Sequence, residues 1–194
     1  NIYNTDQSDG RLFFTQAEKE IDDPITSDAG HFQKGHMEFH HALSRIQIQI
    51  VKGSGYGTTG FTFDAGNIKL YNMPYTGAFN VETGAWSDIS TKTITSIAKL
   101  SSETDAEGTY EAQVVPGYNF AGTATDNALE FTIGGNTYYV TNGQLKSALD
   151  GKTTVFTMEQ GNRYIFTITV DRTLIKNITA TIVDWNKVTA DEFH

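Results

Sequence analysis

Histidine supplies the densest group of potential metal ligands: His31, His36, His40 and His41 lie within 11 residues. His36 and His40 share a strand parity with Glu38 between them, a spacing that could approach a zinc-type ion. His40 and His41 are neighbours, so on an extended chain they point to opposite faces and cannot both reach one ion. The structural reading is therefore preferred, with His41 beside Phe39 and Leu43 in a core and the other imidazoles solvated. Asp22, Asp23, Glu103, Asp105 and Glu107 are the obvious carboxylate pairs. Two carboxylates held about 5–10 Å apart could hydrolyse a glycosidic bond, but in turn-rich stretches such acids cap turns and face water. Gly53-Ser54-Gly55-Tyr56-Gly57 superficially resembles a nucleotide loop. With no helix after it, it reads as a hairpin loop. No Gly-x-Ser-x-Gly elbow and no His-Glu-x-x-His run occurs. Cysteine is absent, which removes thiol catalysis, thiolate metal sites and disulfides together. The expectation is a non-enzyme with no catalytic residues, no cofactor and no metal.

Tyr71, Tyr75 and Trp86 cluster around a Pro-Tyr-Thr-Gly stretch expected to turn. Exposed rings there could stack on sugar faces, since loops carry most binding functions. Core packing or a contact between subunits is the more ordinary role for such rings. These three are the candidate contact residues for a ligand or a neighbouring subunit.

The elements that position them are strands. The chain has 194 residues, 38% hydrophobic, 12% aromatic and 19% charged, too apolar and too weakly charged for a disordered chain. Thr and aromatics are plentiful and Leu is scarce, which favours pleated sheets over helix bundles. The net charge of −9 and the lack of a Lys/Arg cluster argue against nucleic acid and anionic membrane partners. No apolar run is long enough to form a transmembrane segment. Asn1 in place of Met suggests a mature or excised product.

Residues 1–35 are polar and broken by Asp22-Asp23-Pro24, and read as an arm or the remnant of a preceding domain. Residues 36–194 read as one β-sandwich. Ile46, Ile48 and Ile50 alternate with Gln47 and Gln49, the signature of a strand with one wet face. Phe39, His41 and Leu43 occupy the other parity. Either a bulge or bend falls between Leu43 and Ile46, or the first half is covered on both faces. Strands follow over 61–63, 67–71, 77–81, 91–100, 108–115, 128–133 and 137–141, with a Gly134-Gly135-Asn136 turn joining the last two. The one helix is expected over 142–149, with Asn142 as its cap. Strands over 163–170 and 174–185 close the chain. They place Tyr164, Phe166, Ile168 and Val170 on one face, then Ile178, Ala180 and Ile182 inward. The fold class is thus all-β, a two-sheet sandwich with one short helix.

Several stretches in order carry a resemblance. Met37-Glu38-Phe39-His40-His41-Ala42-Leu43-Ser44-Arg45-Ile46 is followed by Ile68-Lys69-Leu70-Tyr71-Asn72-Met73-Pro74-Tyr75-Thr76-Gly77 and Gly84-Ala85-Trp86. Then come Val114-Val115-Pro116, with Gly117 where Gln is usual, Gly161-Asn162-Arg163-Tyr164 and Ile182-Val183-Asp184-Trp185. Together they resemble the fimbrillin family, the Mfa-like subunits of type V pili from Bacteroidales-type bacteria, mainly its C-terminal domain. The resemblance implies a transthyretin-like Greek-key sandwich and export as a lipoprotein to the outer membrane and cell-surface fimbrium. It also implies proteolytic maturation and polymerisation by donor-strand-type β-strand exchange with other pilin subunits, head to tail. Host or bacterial surface glycans or proteins would be further partners, and the alternative function is a surface glycan-binding β-sandwich domain. The segment 186–194, with Val188, Ala190 and Phe193 as its apolar residues, is the candidate donor strand.

Overall fold

The computed structural model describes residues 2–4, 13–16, 38–56, 61, 68–95, 97–99, 108–119, 124–149, 157–184 and 188–189. The strands are β1 (Ile2–Asn4), β2 (Phe13–Gln16), β3 (Glu38–His41), β4 (Ser44–Lys52), β5 (Lys69–Asn80), β6 (Ala85–Ile94) and β7 (Ala98–Lys99). They continue as β8 (Thr109–Val114), β9 (Asn127–Ile133), β10 (Asn136–Thr141), β11 (Asn162–Val170), β12 (Ile175–Asp184) and β13 (Val188–Thr189). One helix, α1 (Asn142–Leu149), lies between β10 and β11.

Two five-stranded sheets form the layers. One joins β1, β5, β9 and β10, with β6 on the other side of β5; the second runs β12-β11-β4-β8-β7. A small third sheet runs β13-β3-β2. The core lies between the two large sheets, and its bulkiest fully buried side chains include Tyr110, Tyr164, Phe131, Phe166, Ile46, Ile48 and Ile50. The all-β two-sheet architecture expected from the strand pattern is therefore the observed one.

Alternation decides which face each strand buries. In β11 the residues Tyr164, Phe166, Ile168 and Val170 are buried and the intervening ones half-buried. β11 lies antiparallel to β12 and parallel to β4, with Phe166 beside Ile48 and Ala180. The inward set of β12 is the expected one, with Ala180 buried, Ile178 and Ile182 half-buried, and Asn177, Thr179 and Thr181 exposed.

The expected break near Leu43 is a bend at Ala42 and Leu43, where the chain leaves the third sheet and enters β4. Both residues are buried. His40 and His41 are half-buried, so His41 is not the enclosed core residue the pattern implied. The wet face expected for β4 is also largely covered. Gln47 is buried, Arg45 Nε lies 2.9 Å from Glu111 Oε1, and the Thr167 hydroxyl donates to Gln49 Oε1 at 2.7 Å. Partners on neighbouring strands replace part of the water that these side chains lose.

Three local expectations need correction. Residues 67–71 and 77–81 do not form separate strands joined by a turn; β5 runs through Pro74. Asn72 takes a left-handed φ of 52°, and the pairing with β6 slips between Leu70 and Met73 and again after Pro74. A bulged strand tolerates a residue with no N–H to donate. The helix cap is Thr141, not Asn142: the Gln144 N–H donates to Thr141 Oγ1 at 3.3 Å, and the Thr141 N–H donates to Gln144 Oε1 at 2.9 Å. This reciprocal pair is a capping box. It leaves Asn142 free to accept the Tyr118 hydroxyl at 2.6 Å. Gly53 and residues 54–56 form a single 3-10 turn held by the adjacent end of β11: the Gly53 N–H donates to the Val170 carbonyl, and the Gly55 N–H to Asp171 Oδ1. The loop leads from β4 to the other layer and so closes no hairpin. By contrast, Gly134 and Gly135 turn as expected, with φ of 54° and 82°, the pair of positive values a two-residue hairpin turn requires.

Residues 62–63, His31, His36, Asp22, Asp23, Glu103, Asp105, Glu107, Trp185, Ala190 and Phe193 lie outside the described residues.

Candidate functional site

The three aromatic candidates all sit on the β5–β6 ribbon, each held by a different partner. Trp86 opens β6 opposite Phe79, with ring centroids 5.0 Å apart and planes tilted by 46°. Its indole N–H donates to the Ala42 carbonyl at 2.8 Å, at the bend before β4. A Cβ built on Gly77 would stand 3.0 Å from Trp86 Cε3, so the indole lies against a backbone that only glycine leaves clear. Trp86 thus ties the first sheet to the corner where the chain enters the second.

Tyr75 is half-buried against the core, with the Lys92 ammonium 4.7 Å from its ring centroid, within cation–π range. Tyr71 lies nearer the start of β5 and donates its hydroxyl to Glu130 Oε2 on β9. From Tyr71 to the Phe79–Trp86 pair is eight positions along β5, roughly 25 Å at strand rise. Tyr71 and Trp86 therefore belong to different parts of the surface.

Around Tyr71 the first sheet builds a second constellation that the sequence reading did not single out. Lys69, Glu130 and Tyr139 form one row across β5, β9 and β10. All three point outward, since Leu70, Leu129, Phe131, Tyr138 and Val140 on the opposite parity are buried. Lys69 Nζ meets Glu130 Oε1 at 2.6 Å, and Tyr71 takes the other carboxylate oxygen. Tyr139 is 49% exposed beside them. The next row holds Thr132 and Thr137, whose hydroxyls are 3.4 Å apart. Strand alternation in β9 and β10 carries this information in the sequence, but only the register shows that the two strands stand beside Lys69.

The bonds from Lys69 and then Tyr71 hold the Glu130 carboxyl below its ordinary range, while bonding to Glu130 raises both Lys69 and Tyr71. A carboxyl whose folded value is depressed stabilises the fold above its unfolded value and loses that contribution as pH falls through the folded one. Glu130→Gln should therefore lower the thermal midpoint at neutral pH, and the gap to the parent protein should close below about pH 4. Melting curves at a series of pH values check this; a gap independent of pH would refute the assignment.

β13 pairs with β3 through Val188 opposite Phe39 and Thr189 opposite Glu38. At the other end of the sequence, β1 pairs with Thr76–Ala78 of β5 and β2 pairs with β3. A cleft of about 560 Å³ between α1 and β12 is bordered by Gln144, Ser147, Lys176 and Asn177. Among the described residues, no group of three or more His, Asp or Glu side chains is placed to hold a metal ion, and no helix is long and apolar enough to cross a membrane.

A crystal structure of a candidate cell adhesion protein from Bacteroides uniformis ATCC 8492 is similar to this chain, with a TM-score of 0.53 and 23% identity over 77% of this chain and 53% of that one. A second, from Bacteroides ovatus ATCC 8483, gives 0.48 and 20% over 77% of this chain and 48% of the other. The C-terminally truncated tip fimbrial protein Mfa3 from Porphyromonas gingivalis gives 0.43 and 14% over 76% and 52%. The first of these supports the fold alone. The chain spans about half the length of each. No curated protein sequence matches it. The model of the fimbrillin-like family matches residues 15–185, nearly the whole strand framework from β3 to β12. The chain belongs to the fimbrillin-like family.

Proposed function

We propose that the protein is a structural, non-catalytic subunit of a cell-surface pilus or adhesin, joined to its neighbours by exchange of a β-strand. Residues 1–35 act in this reading as an arm that lies along the sandwich, β1 beside β5 and β2 beside β3, and export as a lipoprotein to the outer membrane precedes assembly. Family membership supports the general role. The observation that carries the mechanism is the ladder between β13 and β3. β13 belongs to the small third sheet, so it can leave β3 without opening either large sheet, and the same ladder can form with β3 of another copy. Exchange between unlike surfaces repeats without closing and so yields a filament. Val188, Ala190 and Phe193 are the donor side chains in this scheme, with Val188 taking the place beside Phe39.

Deleting residues 186–194 is expected to abolish polymers while leaving a folded monomer, read by sedimentation and electron microscopy. Polymers of unchanged length in the deletion variant would refute the donor assignment.

A further inference from the structure

We propose that the outward face of the first sheet around Tyr71, Glu130 and Tyr139 is a binding site for a neutral saccharide. The backbone positions of Tyr71 and Tyr139 stand two strand spacings and one pleat repeat apart, roughly 12 Å. That separation is the span of a short oligosaccharide laid flat across the strands. Between the rings lie the Glu130 carboxylate and the Lys69 ammonium, and beside them the Thr132 and Thr137 hydroxyls.

The chemistry selects the ligand class. A sugar hydroxyl both donates and accepts, and here it meets a carboxylate acceptor, an ammonium donor and hydroxyls that do either. The less polar face of a pyranose ring matches an aromatic face, and Tyr combines such a face with a polar tip. Lys69 and Glu130 cancel in charge, so the patch offers no net attraction to an ion. The chain as a whole carries −9, which repels sialylated and sulfated glycans at long range. A peptide strand would dock on open backbone, such as the outer edge of β10, whereas Tyr71, Lys69 and Glu130 sit on the face of β5 and β9, which are paired on both sides.

Pre-organisation favours the same conclusion. Glu130 is held by two partners and Tyr71 is fixed by its hydroxyl bond, so little side-chain freedom is lost on binding. Tyr139 is a large aromatic ring half open to solvent.

The test uses the full chain on an array of neutral oligosaccharides built from glucose, mannose, galactose and N-acetylhexosamines, with sialylated and sulfated members alongside. Neutral members should be retained over acidic ones. Tyr139→Ala should weaken the best of them roughly five- to tenfold, and Glu130→Gln should weaken it as well, with both variants keeping a cooperative melt. Thr181→Ala, on the exposed face of β12, should bind as the parent does. Ligand-observed NMR with the same sugars at millimolar concentration covers weak affinities. Retention of no neutral saccharide by either method, a preference for acidic glycans, or full binding by a folded Tyr139→Ala variant would overturn the proposal.

Discussion

Replacing Phe166 with alanine should destabilise the protein by about 3–5 kcal/mol, the usual range for deleting a fully buried phenylalanine. Phe166 is 0% exposed and lies on β11, flanked by Ile48 on β4 and Ala180 on β12. β11 is laddered to β12 on one side and β4 on the other, so its backbone cannot move in to close the void, and the lost contacts add to the lost burial. For a chain of this size the thermal midpoint should fall by roughly 10 °C or more. Thr167→Ala, one residue on and facing away from the core, removes the bond to Gln49 and should cost only about 1 kcal/mol. Equilibrium denaturation of the two variants measures the contrast. Comparable losses would mean that the parity of β11 has been misassigned.

The second large effect is expected at Tyr138. Its ring stacks on Phe131 at 5.4 Å, and its hydroxyl reaches three oxygens: Tyr56 at 2.6 Å, and the carbonyls of Asp171 and Arg172 at 3.1 and 2.9 Å. Either hydroxyl could donate across the Tyr56–Tyr138 contact, but a carbonyl donates nothing, so the arrangement that satisfies all three contacts sends the Tyr138 hydrogen to the carbonyl pair and has Tyr56 donate to Tyr138. Burial raises the Tyr138 hydroxyl above the ordinary tyrosine range. Tyr138→Phe would strand the Tyr56 donor and remove the only hydrogen these interactions supply to the carbonyls, costing about 2–3 kcal/mol. Tyr56→Phe leaves the Tyr138 hydrogen in place and should cost about half as much. The double variant should fall short of the sum, because the two hydroxyls share one bond. Denaturant titration of the three variants measures this, and equal single losses with full additivity would contradict the donor order.

The contrast at β11 also shows what could be read from residues alone. Ile46, Ile48 and Ile50, and the four alternating residues of β11, identify their buried face because a period of two leaves one side for the core. The Gly134-Gly135 turn was legible because few residues accept two positive φ values in succession. Pro74 misled, since Pro, Thr and Gly together resemble a turn. What overrides them is a left-handed Asn72, whose local bulge can be recognised only once its partner strand is known. The helix cap was placed one residue late because Asn142 is itself a good cap, and the Thr141 and Gln144 pair competes for the same role.

The candidate site divides in the same way. Tyr71, Tyr75 and Trp86 are near one another in sequence, but strand rise separates the first from the last, and Trp86 is engaged with Ala42 and Gly77. Tyr139 and Glu130 were not singled out because nothing in the sequence pairs position 69 with position 130. Fold class survives without long-range register, since alternation is local. A surface site assembled from three strands does not.

The parallel pairing of β4 with β11 has a temporal consequence. It joins Arg45 to Arg163 and Gln49 to Thr167, partners 118 positions apart in the chain. Closing so long a loop is entropically slow, and sheets dominated by distant partners fold over milliseconds to seconds rather than microseconds. Until β11 emerges from the ribosome, β4 has its β8 neighbour and one bare edge, so the second sheet stays open until then. A protein that locks this late remains threadable for longer than a helical chain of equal length. Passage through a narrow channel before folding then becomes a contest between rates, with the last strands deciding when it ends.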